Sequence, residues 1–584
     1  MSKKVAEIQS FASADETSQW ISNLWVTYNN QRRDKIEEWK ELRNYIFATD
    51  TRTTSNSALP WKNSTTLPKL CQIRDNLHSN YLSALFPNDD WLVWEGYSKE
   101  DSVKDKAKAI EGYMKNKVRE GKLRTEASKL LYDFIDYGNA FATVDFEANY
   151  TEKADGTKVP DFIGPRLRRI SPLDIVFNPL ANTFKDSFKV IREIRTVGEL
   201  KLQAISEPEN AFLAAALARR DVINEKMGQY SIEDFDKAVG FSVDGFGNMQ
   251  EYYRSGYVEV MTFYGDYHDA VSGTLHRNRK ITIIDRAAVV DDKPIESWLG
   301  YAPIFHVGWR FRQDNLWAMG PLDNLVGMQY RIDHLENLKA DAMDLVVHPP
   351  LKIIGEVEEF VWGPGAEIHI DENGDVVELG HNLSGIISAS NEINVLEDRM
   401  ELYAGAPREA AGIRTPGEKT KFEVQSLITA AGRIFQEKIT SFEIELLEPS
   451  LNAMLEVSRR NMDTYDIVRV MDDDLGVAQF LEITREDISA TGKVRPIGAR
   501  HFAKQSIDLQ NLMGIFNSPI AQVIAPHVSG KNLTKFFNDV LGVEAYEIFA
   551  NNAALFEQQE SQAIASQLQE DLAVQSEQNA EPEV

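Results

Sequence analysis

The chain has 584 residues, with 90 Asp and Glu against 63 Lys and Arg, a formal net charge of -27 and a pI near 4.9. That balance argues against a protein that grips nucleic acid through clustered cations. The 43% hydrophobic content is enough for real cores spread over about two to four domains, and one cysteine, Cys71, excludes an intrachain disulfide and points to a reducing compartment.

The opening "MSKKVAEIQSFASADETSQW" has no apolar core of signal-peptide length. No run approaches about 18 apolar residues, so no membrane anchor is expected and the chain reads as soluble and made in a cytoplasm. "TSQWISNLWVTYNNQRRDKIEEWKELRNYIF" shows helical apolar spacing. "LPKLCQIRDNLHSNYLSALFP" is a second helix, opened by Pro68 and closed by Pro87, with Cys71 as a small core residue. Helices over about 101–120 and 125–137 follow, punctuated by Gly121.

The texture then turns β-branched and aromatic. "NAFATVDFEANY" and "RLRRISPLDIVFNPLA" read as strands, with Asp155-Gly156 turning between them. A helical insert spans about 197–238. β texture returns in "GYVEVMTFYGDYHDA", "RKITIIDRAAVV" and "APIFHVGWRFRQ", so residues to about 315 form one α+β body.

From Gly320, "GPLDNLVGMQYRIDHLENLKADAMDLVV" places Leu325, Met328, Ile332, Leu335, Ala342 and Val346 near one helix face. The other face carries Asp323, Asp333, Glu336, Asp341 and Asp344 against Arg331 and Lys339. About 25 residues at 1.5 Å rise predict a rod of roughly 37 Å, stopped by Pro349 and Pro350. The short strands "LKIIG", "EEFVWG", "AEIHI" and "DVVELG" follow, with a turn at Asn373-Gly374, in a unit too small to fold without partners.

A helix over about 390–403 comes next, then the Gly/Pro/Ala-rich "AGAPREAAGIRTPGEKT". Thr420 and Glu423 have capping-box spacing for a long helix that runs to Leu447 and is expected to close at Pro449. "LNAMLEVSRRNM" continues helically, a β-rich piece covers about 467–496, and a helical region from about 503 ends in a Gln/Glu-rich tail with no Lys or Arg after Lys535.

The motifs of familiar chemistry are incomplete. In "GIRTPGEKT", Glu418 separates Gly417 from Lys419, which spoils a phosphate loop. Asp472, Asp473 and Asp474 lack the later carboxylate of a calcium loop and read as a solvated turn. The ten histidines form no HExxH pair and no metal-like spacing with cysteine, and His334 and His348 stand singly. There is no GxSxG elbow, and "GFGNM" lacks the rest of a dinucleotide fingerprint. The expectation is a protein without enzymatic activity, cofactor or metal.

In their order, "ISPLDIVFNPLA", "APIFHVGWRFRQDNLWAMGPLDNLVGMQYRIDHLENLKADAMDLVVHPPLKI" and "PREAAGIRTPGEKTKFEVQSLITAAGRIFQEKITSFEIELLEPSL" make a chain that resembles the portal (head-to-tail connector) proteins of tailed bacteriophages, most like those of short-tailed phages. The resemblance runs from about Thr17 to Met462 and lies in order and spacing, with no single signature residue. It implies a wing over 1–320, a stem helix over 321–347 and a clip over 348–388 with Pro349, Pro350, Trp362, Asn373 and Gly374. It further implies a returning stem helix over 389–405 and a tunnel loop over 406–419. A long wing helix and β-rich segment over 420–499 and a helical crown over 500–584 complete the pattern.

By the same resemblance the protein is a ring, a dodecamer, around a channel for double-stranded DNA, at one capsid vertex of the virion. Its implied partners are the terminase large subunit that supplies ATP-driven packaging, the major capsid protein, a scaffold protein and a tail adaptor. The acidic stem face would discourage DNA adhesion. Arg408, Arg414, Lys419 and Lys421, with Glu409 among them, either meet phosphates or pair with acidic neighbours in the ring. The alternatives are a virion scaffold or structural protein without a channel, and a carboxylate-dependent nuclease.

Overall fold

The structure, a computed structural model, describes residues 10–11, 14–47, 63–86, 91–97, 104–152, 158–208, 210–226, 256–269, 272–347, 349–355, 375–378, 384–404, 436–462, 465–471, 478–489 and 491–496. Trp91 apart, these fall in one compact unit of mixed helix and sheet, an α+β body. It opens with β1 (Ser10–Phe11), α1 (Ala14–Gln31), α2 (Arg33–Ile46), α3 (Lys69–Leu85), β2 (Leu92–Gly96), α4 (Lys104–Glu120) and α5 (Leu123–Asp136). The first helical stretch breaks at Arg32, whose buried guanidinium donates to the carbonyls of Pro172 and Leu173 at 2.6 and 2.7 Å.

β3 (Asn139–Glu152) and β4 (Lys158–Ile170) form an antiparallel hairpin that reaches Glu152 opposite Lys158, with a shift of register between Asn149 and Tyr150. The Asp155-Gly156 turn lies outside the described residues. Gly138 precedes β3 at φ +67, and a Cβ there would stand 2.3 Å from the Gly320 nitrogen. Only glycine serves at so close a crossing of two chains.

The main sheet follows: β5 (Ile175–Phe177), β6 (Lys189–Thr196), then α6 (Val197–Ser206) and α7 (Ala211–Lys226), then β7 (Tyr257–Asp269), β8 (Leu275–Ile284) and β9 (Ala288–Pro294). These strands pair as sequential antiparallel neighbours, and β1 adds in parallel to the end of β7. Period-two alternation gives the sheet two apolar faces. One takes Ile21 and Trp25 of α1 against Val190, Met261, Phe263 and Ile281. At one end of the other, Leu200, Leu213 and Leu217 of the helical insert cover Val260 and Ile284.

β10 (Ile304–Gly308) extends the β3–β4 hairpin, and β11 (Arg310–Arg312) pairs with β12 (Asn315–Met319). A 3-10 turn, Asp323–Leu325, opens α8 (Val326–Val347); then come β13 (Leu351–Ile354), β14 (Asp375–Glu378) and α9 (Ser384–Ala404). The chain is helical again from 436. The helix expected to close at Pro449 runs on instead: a π-helical turn, Glu443–Leu447, passes into α10 (Glu448–Asn461), with the proline in the first turn of α10. The wider turn opens the hydrogen-bond ladder where proline has no N–H to give. Phe442 then packs on Phe134, which also meets Tyr81 and Trp309, with ring centroids 5.2 to 6.4 Å apart.

β15 (Tyr465–Met471) and β16 (Ala478–Thr484) pair with each other. β17 (Gly492–Pro496) returns to the N-terminal part and pairs with β2, Val494 opposite Trp94.

Candidate functional site: a two-helix rod fastened to an extended segment

α8 has 22 residues, a rod of about 33 Å. α9, with 21 residues, lies alongside it. Ile332 and Leu335 of α8 and Ile393 and Met400 of α9 are buried. Arg331 of α8 reaches Glu392 of α9 at 3.3 Å, a half-exposed pair of small energetic weight. The antiparallel strands β13 and β14 lie in the span between the two helices.

One side of α8 is polar and yet buried. Gln329, Asp333, Asn337 and Asp341 recur at four-residue spacing, and all are 6% exposed or less. Four helical residues advance about 6 Å and two extended residues about 6.6 Å, so this stripe keeps step with every second residue of an extended chain. Residues 63–68 are that chain. Asp341 Oδ1 accepts from the Asn63 amide at 2.8 Å, and Asn337 Oδ1 accepts from the Thr65 amide at 2.7 Å. Asn337 Nδ2 donates back to the Thr65 carbonyl at 3.0 Å. Asp333 Oδ1 accepts from the Leu67 amide at 2.9 Å, while Gln329 Nε2 donates to the Leu67 carbonyl at 2.6 Å. A helix face thus does for this segment what a neighbouring strand would do.

The clamp continues into α3. Gln329 Oε1 accepts from the Leu70 amide at 3.2 Å, and buried Lys69 donates to Glu401 of α9 at 2.5 Å with Glu397 at 3.7 Å. Asp333 carries the unusual group in this row: its Oδ2 is buried without a hydrogen-bond partner. Burial raises its carboxyl, opposed by the bonds from Leu67 and Gln329.

This arrangement corrects the expected acidic stem face. Asp333 and Asp341 point into the segment at 63–67, and Asp323 accepts from Lys35 at 2.6 Å and from the Gly320 amide at 3.1 Å. Glu336 is tied to Lys339 one turn on, and Asp344 is exposed and accepts from Asn63 Nδ2 at 2.9 Å. Asp333 and Asp341 are buried beneath that segment, so the five carboxylates cannot form one solvent-facing stripe. Helical periodicity placed them on a common side without showing that the side has its own partner. The signal for that partner was the polar stripe at four-residue spacing, set against the extended "NSTTLP".

Pro349 and Pro350 follow the described end of α8 as expected, before β13. Trp362, Asn373 and Gly374 lie outside the described residues, as do Arg408, Glu409, Arg414, Lys419 and Lys421, the Asp472–Asp474 run and residues 497–584.

The exposed surface of the rod carries large apolar side chains among polar and charged ones such as Arg331, Glu392, Asp398 and Arg399. Tyr330, Leu338, Met343 and Val347 of α8, Ile387, Val395, Leu402 and Tyr403 of α9, and Ile353, Ile354 and Val377 of the small sheet are exposed, Leu402 at 64% and Val347 at 63%. So many large apolar side chains on one slender element call for a covering surface.

Cys71 is half-buried, with Sγ 3.8 Å from Asp75 Oδ2. Burial and that carboxylate raise its thiol, which opposes the thiolate form. Among the described residues no His/Cys/Asp/Glu cluster is arranged to hold a metal, and no helix is long and apolar enough to cross a membrane. No protein-family model matches the chain, and no curated protein matches it.

Proposed function

We propose that this chain is the subunit of a phage portal, a ring at one capsid vertex through which the terminase motor drives double-stranded DNA inward and from which the genome later leaves. The observation that carries this reading is the rod: two long helices fixed at one side to an α+β body and bearing many exposed large apolar side chains. A rotationally closed ring covers such a surface with the next copy, because heterologous interfaces satisfy every subunit only when the rotation closes. The order of body, rod, small sheet and returning helix also fits the portal pattern of wing, stem and clip.

In this reading the subunit provides a passage and docking surfaces, with the terminase large subunit as the energy source, and with the major capsid protein, scaffold protein and tail adaptor as further partners. The fastening of 63–68 to α8 joins stem to wing, so that motor thrust reaches the shell through a rigid connection. The stem's acidic side chains serve this joint, and the channel lining falls to other residues, the 406–419 loop first among them.

Electron microscopy of the purified protein tests the proposal. Rings with a central hole that admits a duplex support it, while a compact oligomer without a hole favours the structural protein without a channel. Deletion of 406–416 is expected to leave rings intact and to impair DNA packaging or retention.

A further inference from the structure

We propose that the fastening of residues 63–68 to α8 is a proton-operated latch, closed while the Asp333 carboxyl holds its proton and loosened when the proton leaves. Asp333 sits in the middle of the joint and is 0% exposed. Its Oδ1 accepts twice, from the Leu67 amide at 2.9 Å and from Gln329 Nε2 at 2.9 Å, while Oδ2 is buried without a hydrogen-bond partner. The segment's own buried hydroxyl does not supply one, since Thr66 Oγ1 is without a partner as well.

The charges around the joint are committed elsewhere. The segment from Asn63 to Pro68 carries no ionisable side chain. On α3, Lys69 donates to Glu401 of α9 at 2.5 Å, with Glu397 at 3.7 Å. On α2, Lys35 is held by Asp323 at 2.6 Å. On α8 itself, Arg331 pairs with Glu392 of α9, Lys339 pairs with Glu336, His334 stacks on Tyr330, and Asp341 accepts from Asn63. A carboxylate at position 333 would therefore give up water at Oδ2 and gain no counter-charge, a loss that the neutral acid largely avoids. Burial raises the group accordingly, against the two bonds at Oδ1. The closed joint thus prefers the protonated form. Its hold is full below the ordinary carboxylate value and weakens as pH rises through the raised one. The Lys69–Glu401 and Lys35–Asp323 pairs do not involve that proton, so the rod stays anchored when the segment lifts.

The inference does not rest on the portal reading. Hydrogen exchange of the full chain tests it, read by mass spectrometry on peptides that span 63–68, between about pH 4 and pH 8, and divided by the intrinsic rate at each pH. The opening constant of the segment is expected to rise about threefold or more with pH and then to level off. Peptides from β7, which report opening of the body, hold constant over the same range. Asp333→Asn keeps an acceptor for Leu67 and Gln329 and is expected to abolish the rise, whereas Asp341→Asn, which alters another buried acid of the joint, leaves it in place. An opening constant that does not change with pH, a rise shared by β7, or a rise that persists in Asp333→Asn through another group such as His334 would overturn the proposal.

Discussion

Asn337→Ala removes the central rung of the α8 clamp. The wild-type side chain gives two bonds to one peptide unit pair, accepting from the Thr65 amide at 2.7 Å and donating to the Thr65 carbonyl at 3.0 Å. Two neutral hydrogen bonds are worth about 1 kcal/mol each. Thr65 is exposed, so its freed groups reach water and add little desolvation cost. The local loss is therefore about 2 kcal/mol, roughly a thirtyfold shift toward the open segment. Native-state hydrogen exchange is the assay, because a local opening of this size is diluted in a global melt. The Thr65 amide loses its acceptor and exchanges freely. The informative amides are Asn63 and Leu67, whose acceptors on Asp341 and Asp333 are untouched by the substitution. If the ladder opens as one unit, both exchange up to about thirtyfold faster. If they keep wild-type protection, the segment is held residue by residue and the idea of a cooperative clamp is wrong.

Other expectations are as direct. Asp333 has a carboxyl raised by burial, so its contribution to stability is full below the ordinary carboxylate value and is lost as pH rises through the raised one. Asp333→Asn removes that titration; its stability relative to wild type should improve from pH 4 to pH 8, as denaturant midpoints at each pH would reveal, and a flat difference refutes the buried charge. Arg286 donates to Glu259 through Nε and Nη2 at 2.7 and 2.9 Å, with both side chains at most 1% exposed. Arg286→Ala takes the guanidinium away from a buried carboxylate and should cost about 3–5 kcal/mol in urea unfolding, whereas a cost under about 1 kcal/mol would mean that the vacated space rehydrates. Val395→Asp with Leu402→Asp places charge on the exposed face of α9. For the proposed ring, sedimentation should then show dissociated subunits with an unchanged circular dichroism spectrum; an intact oligomer would move the proposed subunit contact elsewhere.

The parts of this fold that were legible were those whose partners are near in sequence or repeat with a clean period. Strands β3 to β5 and β7 to β10 fall in β-branched and aromatic runs, and α8 ends before a double proline; β6 (Lys189–Thr196) was not among the expected strands. What escaped was set by distant pairing. Leu92 to Gly96 alternates buried and exposed, yet its partner, β17, lies about four hundred residues on. The acidic side of α8 carries the same charges in sequence whether it meets water or a peptide backbone; the position of "NSTTLP" decides between the two. Pro449 stops a helix in a local reading, and here a π-helical turn accommodates it within one that continues. Of the four short strands expected there, the first and last, β13 and β14, are among the described residues and pair with each other, Leu351 opposite Glu378.

Native mass spectrometry of the purified full-length protein, with electron microscopy of the same sample, bears most directly on the proposal of a portal subunit. The account predicts a closed ring, a dodecamer, whose central hole is wide enough for a DNA duplex. A sample that stays monomeric or dimeric at every concentration, or that assembles into a particle without a hole, would contradict it.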